Sequence, residues 1–247
     1  MVKKKFLIMS RNLWNSGTRR KLLLKMNQID NGTIHYRDEL VRKLIHLTSL
    51  SIPVIYYFIP RSTAITILAS LTVFALILDL ARYFHPEVGK VFYKIFGFLL
   101  RKHELDHEKK NLNGATYVLI SALIGVIIFP KIIFVTAFAI LIISDTSAAL
   151  IGRKFGKKPF LRKSFEGTLA FFISASVVIL FTPKLTDSIA EYLIGFVAAF
   201  VGAIIENISY GIADDNLSIP ISVGFVMWAL YLIIFPNLDL ILPNVPR

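Results

Sequence analysis

Residues 131–149 read Lys131-Ile-Ile-Phe-Val-Thr-Ala-Phe-Ala-Ile-Leu-Ile-Ile-Ser-Asp145-Thr-Ser-Ala-Ala149, with no charge between Lys131 and Asp145. A bilayer core is about 30 Å thick, and roughly 20 mostly apolar residues are needed for a helix to cross it. This run meets the requirement, and its polar end at Ser144-Asp145 then coincides with one membrane face. Working outward, comparable runs at 44–59, 62–82, 115–130, 167–182, 190–208 and 219–236 bring the expected spans to about seven. Lipid offers no partner to backbone N–H and C=O groups, and no run alternates polar and apolar residues as a membrane β-strand does. The predicted fold class is therefore all-α: a polytopic membrane helix bundle.

Composition agrees. The chain of 247 residues is 55% hydrophobic and only 18% charged, against about 25% charged in ordinary soluble domains. That balance excludes a disordered or ordinary soluble protein. The absence of cysteine excludes a disulfide framework and any Cys-based metal site or nucleophile. The apolar core of the opening decapeptide is only Phe6–Met9, shorter than the roughly 7–15 residues of a signal peptide, so this segment is read as retained.

Cytoplasmic loops carry the excess of Lys and Arg. With the amino terminus inside, segments 1–43, 82–110, 153–163 and 207–218 hold 24 basic residues, and the outer side holds four, Arg61, Lys131, Lys184 and Arg247. The count places the amino terminus in the cytoplasm and the carboxyl terminus outside. Residues 1–38 are read as a basic cytoplasmic arm and 39–247 as an integral-membrane catalytic domain. Attraction to anionic headgroups explains Arg11, Arg19, Arg20 and Lys21 beside a membrane anchor, so nucleic acid is not expected as a partner. Residues 87–100 separate aromatics from Lys90 and Lys94 on different helical faces, as in a helix lying in the interface. The sequons at Asn31, Asn207 and Asn216 fall on the inner side, where glycosylation is not expected.

Charged residues at the ends of apolar helices are costly to bury and are functional candidates by default. Asp79, Asp145 and Glu206 occupy such positions, all at inner ends. Arg42, Lys43 and His46 open the first span, Arg82 closes the second, Asn113 and Thr116 open the third, and Asp215 and Asn216 lead into the last. Five separated parts of the chain thereby bring charge to one membrane face, as an active site at headgroup level requires.

The stretch from Ser144 to Thr168 is the most informative. Arg153, Lys154, Lys157, Lys158, Arg162 and Lys163 put six cations into eleven positions beside Gly152 and Gly156. Glycine admits close backbone approach, and clustered Lys and Arg neutralise a multiply charged anion such as a triphosphate. Six such cations repel one another, so removing one is expected to spare the stability of the empty protein. The stretch is not a P-loop, because three residues rather than four separate the glycines and Lys158 stands where Ser or Thr is needed. Asp145, and Glu166 after Lys163-Ser164, are candidate ligands of the divalent ion that a nucleoside triphosphate brings.

These residues carry a resemblance. Ser144-Asp145-Thr146, Gly152-Arg-Lys-Phe-Gly156-Lys157 and Lys163-Ser164-Phe-Glu166-Gly167 resemble the motif shared by the polyprenol (dolichol), phytol and CTP-dependent diacylglycerol kinases and the CDP-diacylglycerol synthases. Glu39-Leu-Val-Arg42-Lys43-Leu-Ile-His46 resembles the opening motif of the kinases, and Glu206 with Asp215-Asn216-Leu-Ser-Ile-Pro220 resembles their closing motif. The synthases' closing signature is absent. Asp79 departs from the family pattern, which has glutamate there. The resemblance implies a CTP-dependent lipid-alcohol kinase that uses Mg²⁺ and acts on dolichol or another polyprenol, phytol or diacylglycerol. It also implies a nucleotide site formed by Gly152, Arg153, Lys154, Gly156, Lys157, Lys163, Ser164, Glu166 and Gly167, with Mg²⁺ on Asp145 and Glu166. Asp145, Glu206, Asp215 and Asn216 are the implied catalytic group, with Asp215 or Glu206 taking the hydroxyl proton. Arg42, Lys43, His46, Asp79, Arg82, Asn113 and Thr116 are the expected acceptor-side residues. The competing expectations are a phosphatidate cytidylyltransferase and a small transporter, the latter disfavoured because no internal repeat is present and the acids sit at one face rather than mid-membrane.

Overall fold

The computed structural model describes residues 36–97, 112–209 and 214–247. Most of the basic arm, the sequon at Asn31 and residues 98–111 lie outside the described residues. In chain order the elements are α1 (Tyr36–Thr48), α2 (Ser51–Phe58), α3 (Arg61–Phe84), α4 (Pro86–Phe96), α5 (Gly114–Ile128), α6 (Lys131–Phe155), β1 (Pro159–Phe160), β2 (Lys163–Ser164), α7 (Phe165–Phe181), α8 (Ile189–Ser209) and α9 (Asp215–Ile234).

The stretch that opened the sequence reading forms the axis of the bundle. In α6, 83% of the most apolar window is buried, and α1, α2, α7 and α9 all pack against it. A helix apolar all round is one surrounded by other helices. Phe134 and Phe138 stack within it at 5.1 Å. The other helices turn apolar side chains outward: Phe58, Phe181, Ile189 and Ile233 are between 69% and 85% exposed. Such a belt suits a hydrocarbon surround. The result is an all-α integral membrane bundle in which α3, α6, α8 and α9 are long and apolar enough to cross a bilayer.

Three local features differ from the expected spans. The run at 44–59 is two helices rather than one. Pro53 lacks the N–H that would bond the carbonyl of Ser49, and its ring clashes with that carbonyl in a continuous helix. The chain tightens instead through Ser49 N–H to His46 O and Leu50 N–H to Leu47 O. Secondly, α5 and α7 have only 15 and 17 residues, shorter than a full crossing. Thirdly, α6 runs on past residue 149 to Phe155, so Gly152 and Arg153 are helical and not in a loop. The loop itself contains a short antiparallel β1–β2 hairpin pairing Pro159 with Ser164 and Phe160 with Lys163, which no sequence pattern signalled. Its turn places Leu161 at a φ of 49°.

The two ends of the bundle differ in character. At one, Arg61 N–H donates to Arg247 O, and Lys131 Nζ donates to Ile59 O at 2.8 Å and to Pro246 O. Three of the four basic residues outside the cationic segments therefore meet there. The opposite end collects Glu39, Asp79, Asp145, Glu206 and Asp215 with the cationic hairpin, while the buried Glu191 stays at the first end, bonded to Tyr231.

Candidate active site

The site begins where α1 crosses the end of α6. Glu39, Lys43 and His46 lie at i, i+4 and i+7, one face of a helix, and this face meets Asp145. Lys43 Nζ donates to Asp145 Oδ2 in a fully buried pair. His46 Nε2 lies 3.6 Å from the same oxygen. Glu39, completely buried, pairs with Arg42 at 2.9 Å and with Arg153 at 3.5 Å, so the first cation of the nucleotide motif is tied to the opening motif. Glu39 was not among the expected site residues. Its signal was its place three residues before Arg42.

The hairpin brings the second half. Lys163 Nζ lies 2.5 Å from Glu206 Oε1 and 4.0 Å from Asp215 Oδ2. Burial alone would lower the pKa of Lys163, but the carboxylates of Glu206, Asp215 and Asp145 outweigh it and raise the ammonium above its ordinary range. Asp145 belongs to the same electrostatic group as Glu206 and Asp215, so parts of α1, α6, the hairpin, α8 and α9 form one ion cluster. Three buried polar atoms of this region, His46 Nε2, Ser144 Oγ and Glu206 Oε2, have no hydrogen-bond partner among the described residues. Buried polar atoms are normally satisfied, so these three are the natural points of contact for a polar substrate.

Asn207 holds the hairpin in place. Its Oδ1 accepts from Arg162 N–H at 2.8 Å and Lys163 N–H at 3.1 Å, and its Nδ2 donates to Thr168 Oγ1 at 2.6 Å. The sequence reading noticed Asn207 only as a sequon. Ser164 caps α7 by accepting from Gly167 N–H at 3.2 Å. Gly152 and Gly167 touch backbone to backbone: a Cβ on Gly152 would lie 3.3 Å from Gly167 Cα, and one on Gly156 would overlap the Gly152 carbonyl at 2.2 Å. The motif glycines therefore let α6, the hairpin and α7 converge. Lys154, Lys157 and Lys158 remain exposed.

Glu166 accepts from the backbone N–H of Lys157 at 3.0 Å and of Lys158 at 3.2 Å. It braces the cationic turn, and among the described residues no hydrogen bond or ion pair joins it to Asp145. Among the described residues no three His, Asp or Glu side chains group closely enough for a protein-only metal cage. Mg²⁺ delivered with a nucleotide keeps waters and takes only one or two carboxylates. Asp145, inside the ion cluster, fits that donor set, while the Glu166 carboxylate is engaged with the amides of the turn.

Two expected catalytic residues separate in the same way. Asp215 faces Lys163, but the Asn216 amide donates to Asp214 Oδ1 at 2.9 Å, which also accepts Asn216 N–H as the cap of α9. Asp79, Arg82, Asn113 and Thr116 form a second network. Asp79 Oδ2 accepts Asn113 N–H at 2.8 Å and Thr116 Oγ1 at 2.7 Å, and Oδ1 accepts Asn113 Nδ2 at 2.9 Å. Arg82 Nε lies 3.1 Å from Asp79, and its guanidinium stacks over Tyr83 and Phe92 at 4.7 and 5.0 Å. This arrangement locks α3, α4 and α5 together.

The chain is similar to several curated proteins. It is 30% identical over 190 residues to an uncharacterised protein of Rickettsia prowazekii, covering 73% of this chain and 89% of that one. It is 30% identical over 156 residues to CTP-dependent diacylglycerol kinase 1 of Schizosaccharomyces pombe, covering 58% of this chain and 70% of the relative. With CTP-dependent diacylglycerol kinase 1 of Saccharomyces cerevisiae it shares 24% identity over 216 residues, 77% of this chain and 72% of the relative. No family model and no solved structure matches the chain. The 30% identity across more than two thirds of the fission-yeast enzyme shows that the chain belongs to the family of the CTP-dependent diacylglycerol kinases.

Proposed function

We propose that this protein transfers the γ-phosphoryl group of CTP to the hydroxyl of a membrane lipid alcohol, with diacylglycerol the first acceptor to test and polyprenols and phytol after it, at the cytoplasmic face. The observation that carries the reading is Lys163, a cation of the nucleotide motif held between Glu206 and Asp215 within the ion cluster of Asp145. Phosphoryl transfer asks for positioning and charge neutralisation more than for covalent help.

Arg153, fixed by Glu39, and the exposed Lys154, Lys157 and Lys158 hold phosphate oxygens, with Lys163 nearest the transferred group. The acceptor oxygen bonds to the γ-phosphorus as the bond to the β–γ bridging oxygen breaks, CDP leaves, and the hydroxyl proton passes to Glu206 Oε2. Asp145 would hold a divalent ion brought in with the nucleotide, and that ion would add to the neutralisation of phosphate charge. Lys163, by occupying Glu206 Oε1, leaves the other oxygen to take the proton.

The test is incubation of the purified protein in detergent micelles with γ-labelled CTP, Mg²⁺ and a panel of lipid alcohols. Labelled phospholipid together with CDP is expected. Release of pyrophosphate with phosphatidic acid as acceptor would assign the chain to the cytidylyltransferases, and no transfer to any alcohol would sink the reading.

A further inference from the structure

At the end of the bundle away from the ion cluster, a cleft of about 440 Å³ opens between α2, the α5–α6 turn, α9 and the last residues of the chain. Tyr56, Ile128, Pro130, Trp228, Leu242 and Val245 form its walls, and Arg61, Lys131 and Arg247 line it as well. Three of the four basic residues outside the cationic segments thus meet in one cavity, and its lining holds no Asp or Glu.

Backbone oxygens take some of the hydrogen bonds of these cations but none of their charge. Lys131 Nζ donates to Ile59 O and Pro246 O and lies 4.7 Å over the Tyr56 ring, and the Arg61 guanidinium donates to Ile127 O. Among the described residues no acidic side chain pairs with Arg61, Lys131 or Arg247. Even with the main-chain carboxylate of Arg247 set against one of them, two positive charges stay uncompensated. The starts of α3 and α6, after Pro60 and Pro130, lie at the same cleft without a side-chain cap, and the start of a helix is the positive end of its dipole.

An anion is the natural counter-charge, and the cleft narrows its kind. The volume lies in the range of small-molecule sites, about 300–1,000 Å³, far more than an inorganic anion fills, and most of the wall is apolar. Trp and Tyr gather at the headgroup level of membranes, and Trp228 and Tyr56 both belong to the wall. Guanidinium groups match phosphate oxygens in pairs.

We infer that this cleft binds the headgroup of an anionic phospholipid in the leaflet opposite the ion cluster, with the phosphate between Arg61, Lys131 and Arg247 and the first acyl carbons against the apolar wall. A zwitterionic headgroup would add its own ammonium to the cations and is disfavoured. Because the main chain of Pro246 and Arg247 is bonded at the same place, the lipid also fastens the last residues to α3 and α6. The site is separate from the catalytic one and does not depend on the kinase reading.

The experiment uses the full chain in phospholipid-free detergent micelles. Phosphatidylglycerol, phosphatidylcholine with the same acyl chains, and inorganic phosphate are added separately, with bound lipid counted by native mass spectrometry and Tm measured alongside. Phosphatidylglycerol should bind as a single tight adduct and raise Tm, since a ligand of the folded state stabilises it by mass action. The other two should do neither. Arg61→Gln/Arg247→Gln should weaken phosphatidylglycerol binding about tenfold or more, the order expected for lost hydrogen bonds to a charged group. Arg247→Gln alone should weaken it less and leave the lipid-free Tm unchanged, because the Arg247 side chain is exposed and the fold engages only its main-chain oxygen. Lys94→Gln, at an exposed cation of α4 outside the cleft, should leave binding as in wild type. Equal binding of phosphatidylcholine, wild-type binding in the double variant, or an equal loss in Lys94→Gln would overturn the inference. Inorganic phosphate that raises Tm as much as phosphatidylglycerol would overturn it too, by assigning the cleft to a free anion.

Discussion

Lys163 Nζ stands 2.5 Å from Glu206 Oε1 and 4.0 Å from Asp215 Oδ2, so one ammonium from the hairpin joins the last turn of α8 to the first turn of α9. From sequence, Lys163 is one of six mutually repelling cations whose removal spares the empty protein. In the structure it is the counter-charge of two acids, and that expectation reverses.

Lys163→Met should therefore destabilise the protein even without nucleotide. Removing one partner of a buried pair costs about 3–5 kcal/mol. Lys163 keeps 26% of its side chain exposed, so about 2 kcal/mol is the expected loss, read as a lower Tm in detergent. The pH dependence follows from the raised pKa of Lys163. A group whose pKa is higher folded than unfolded contributes stability that is complete below its unfolded value and is lost as pH rises through the folded one. The Tm difference between wild type and Lys163→Met should thus stay constant from about pH 6 to about pH 9, short of that loss. A difference that shrinks across this window would remove Lys163 from the pair.

Asp145→Asn keeps size and hydrogen bonding but removes the negative charge, and should lower phosphoryl transfer by about 10²–10³-fold, as for other groups that stabilise charge at the reacting centre. It also leaves Lys43 buried without its partner. The double variant Lys43→Met/Asp145→Asn separates the two effects: Tm should recover relative to Asp145→Asn while turnover stays low. Recovery of turnover along with Tm would make Asp145 a structural residue alone.

Asp79 calls for the opposite result. Both of its oxygens are engaged by Asn113, Thr116 and Arg82, so Asp79→Ala strands several buried donors at about 1–3 kcal/mol each. Tm should fall steeply, and the protein that remains folded should keep its KM for both CTP and lipid. A raised lipid KM at unchanged Tm would instead support the acceptor-side role expected of Asp79 from the sequence.

The helical framework was legible because burying backbone in lipid leaves a long apolar run few alternatives, and residues 131–149 became the most buried helix of the bundle. The meeting of Lys43, Asp145, Lys163, Glu206 and Asp215 was legible in kind, since each is a charge at the end of an apolar helix. Its pairing was not. Which acid faces which base depends on rotations about helix axes and on a hairpin whose strands are two residues long. Glu166 shows the limit: nothing in its place beside Ser164 signals that its carboxylate accepts from the Lys157 and Lys158 amides, which only the folded turn brings to it. The sequons show another: Asn207 and Asn216 are both buried and engaged in hydrogen bonds, for reasons of folding rather than topology.

Asn207 provides the sharpest test of how the hairpin is set. Its side-chain oxygen receives two backbone N–H groups, from Arg162 and Lys163, and its amide is held by Thr168 on α7. Asn207→Ala removes the acceptor and releases β2, so Lys163 no longer arrives at Glu206 with a fixed backbone. The stability cost should be modest, about 1–3 kcal/mol for the stranded donors, because the turn borders water. The kinetic cost should be larger and selective: KM for CTP up about tenfold, the order expected when a charged contact worth about 1.5–3 kcal/mol is misplaced, with KM for the lipid unchanged. Thr168→Val removes the partner of the Asn207 amide but leaves the oxygen facing the hairpin, and should change KM for CTP much less. Steady-state kinetics on both variants, with Tm measured alongside, decide the matter: equal effects from the two substitutions, or an unchanged KM for CTP in Asn207→Ala, would show that Asn207 supports the fold without setting the nucleotide site.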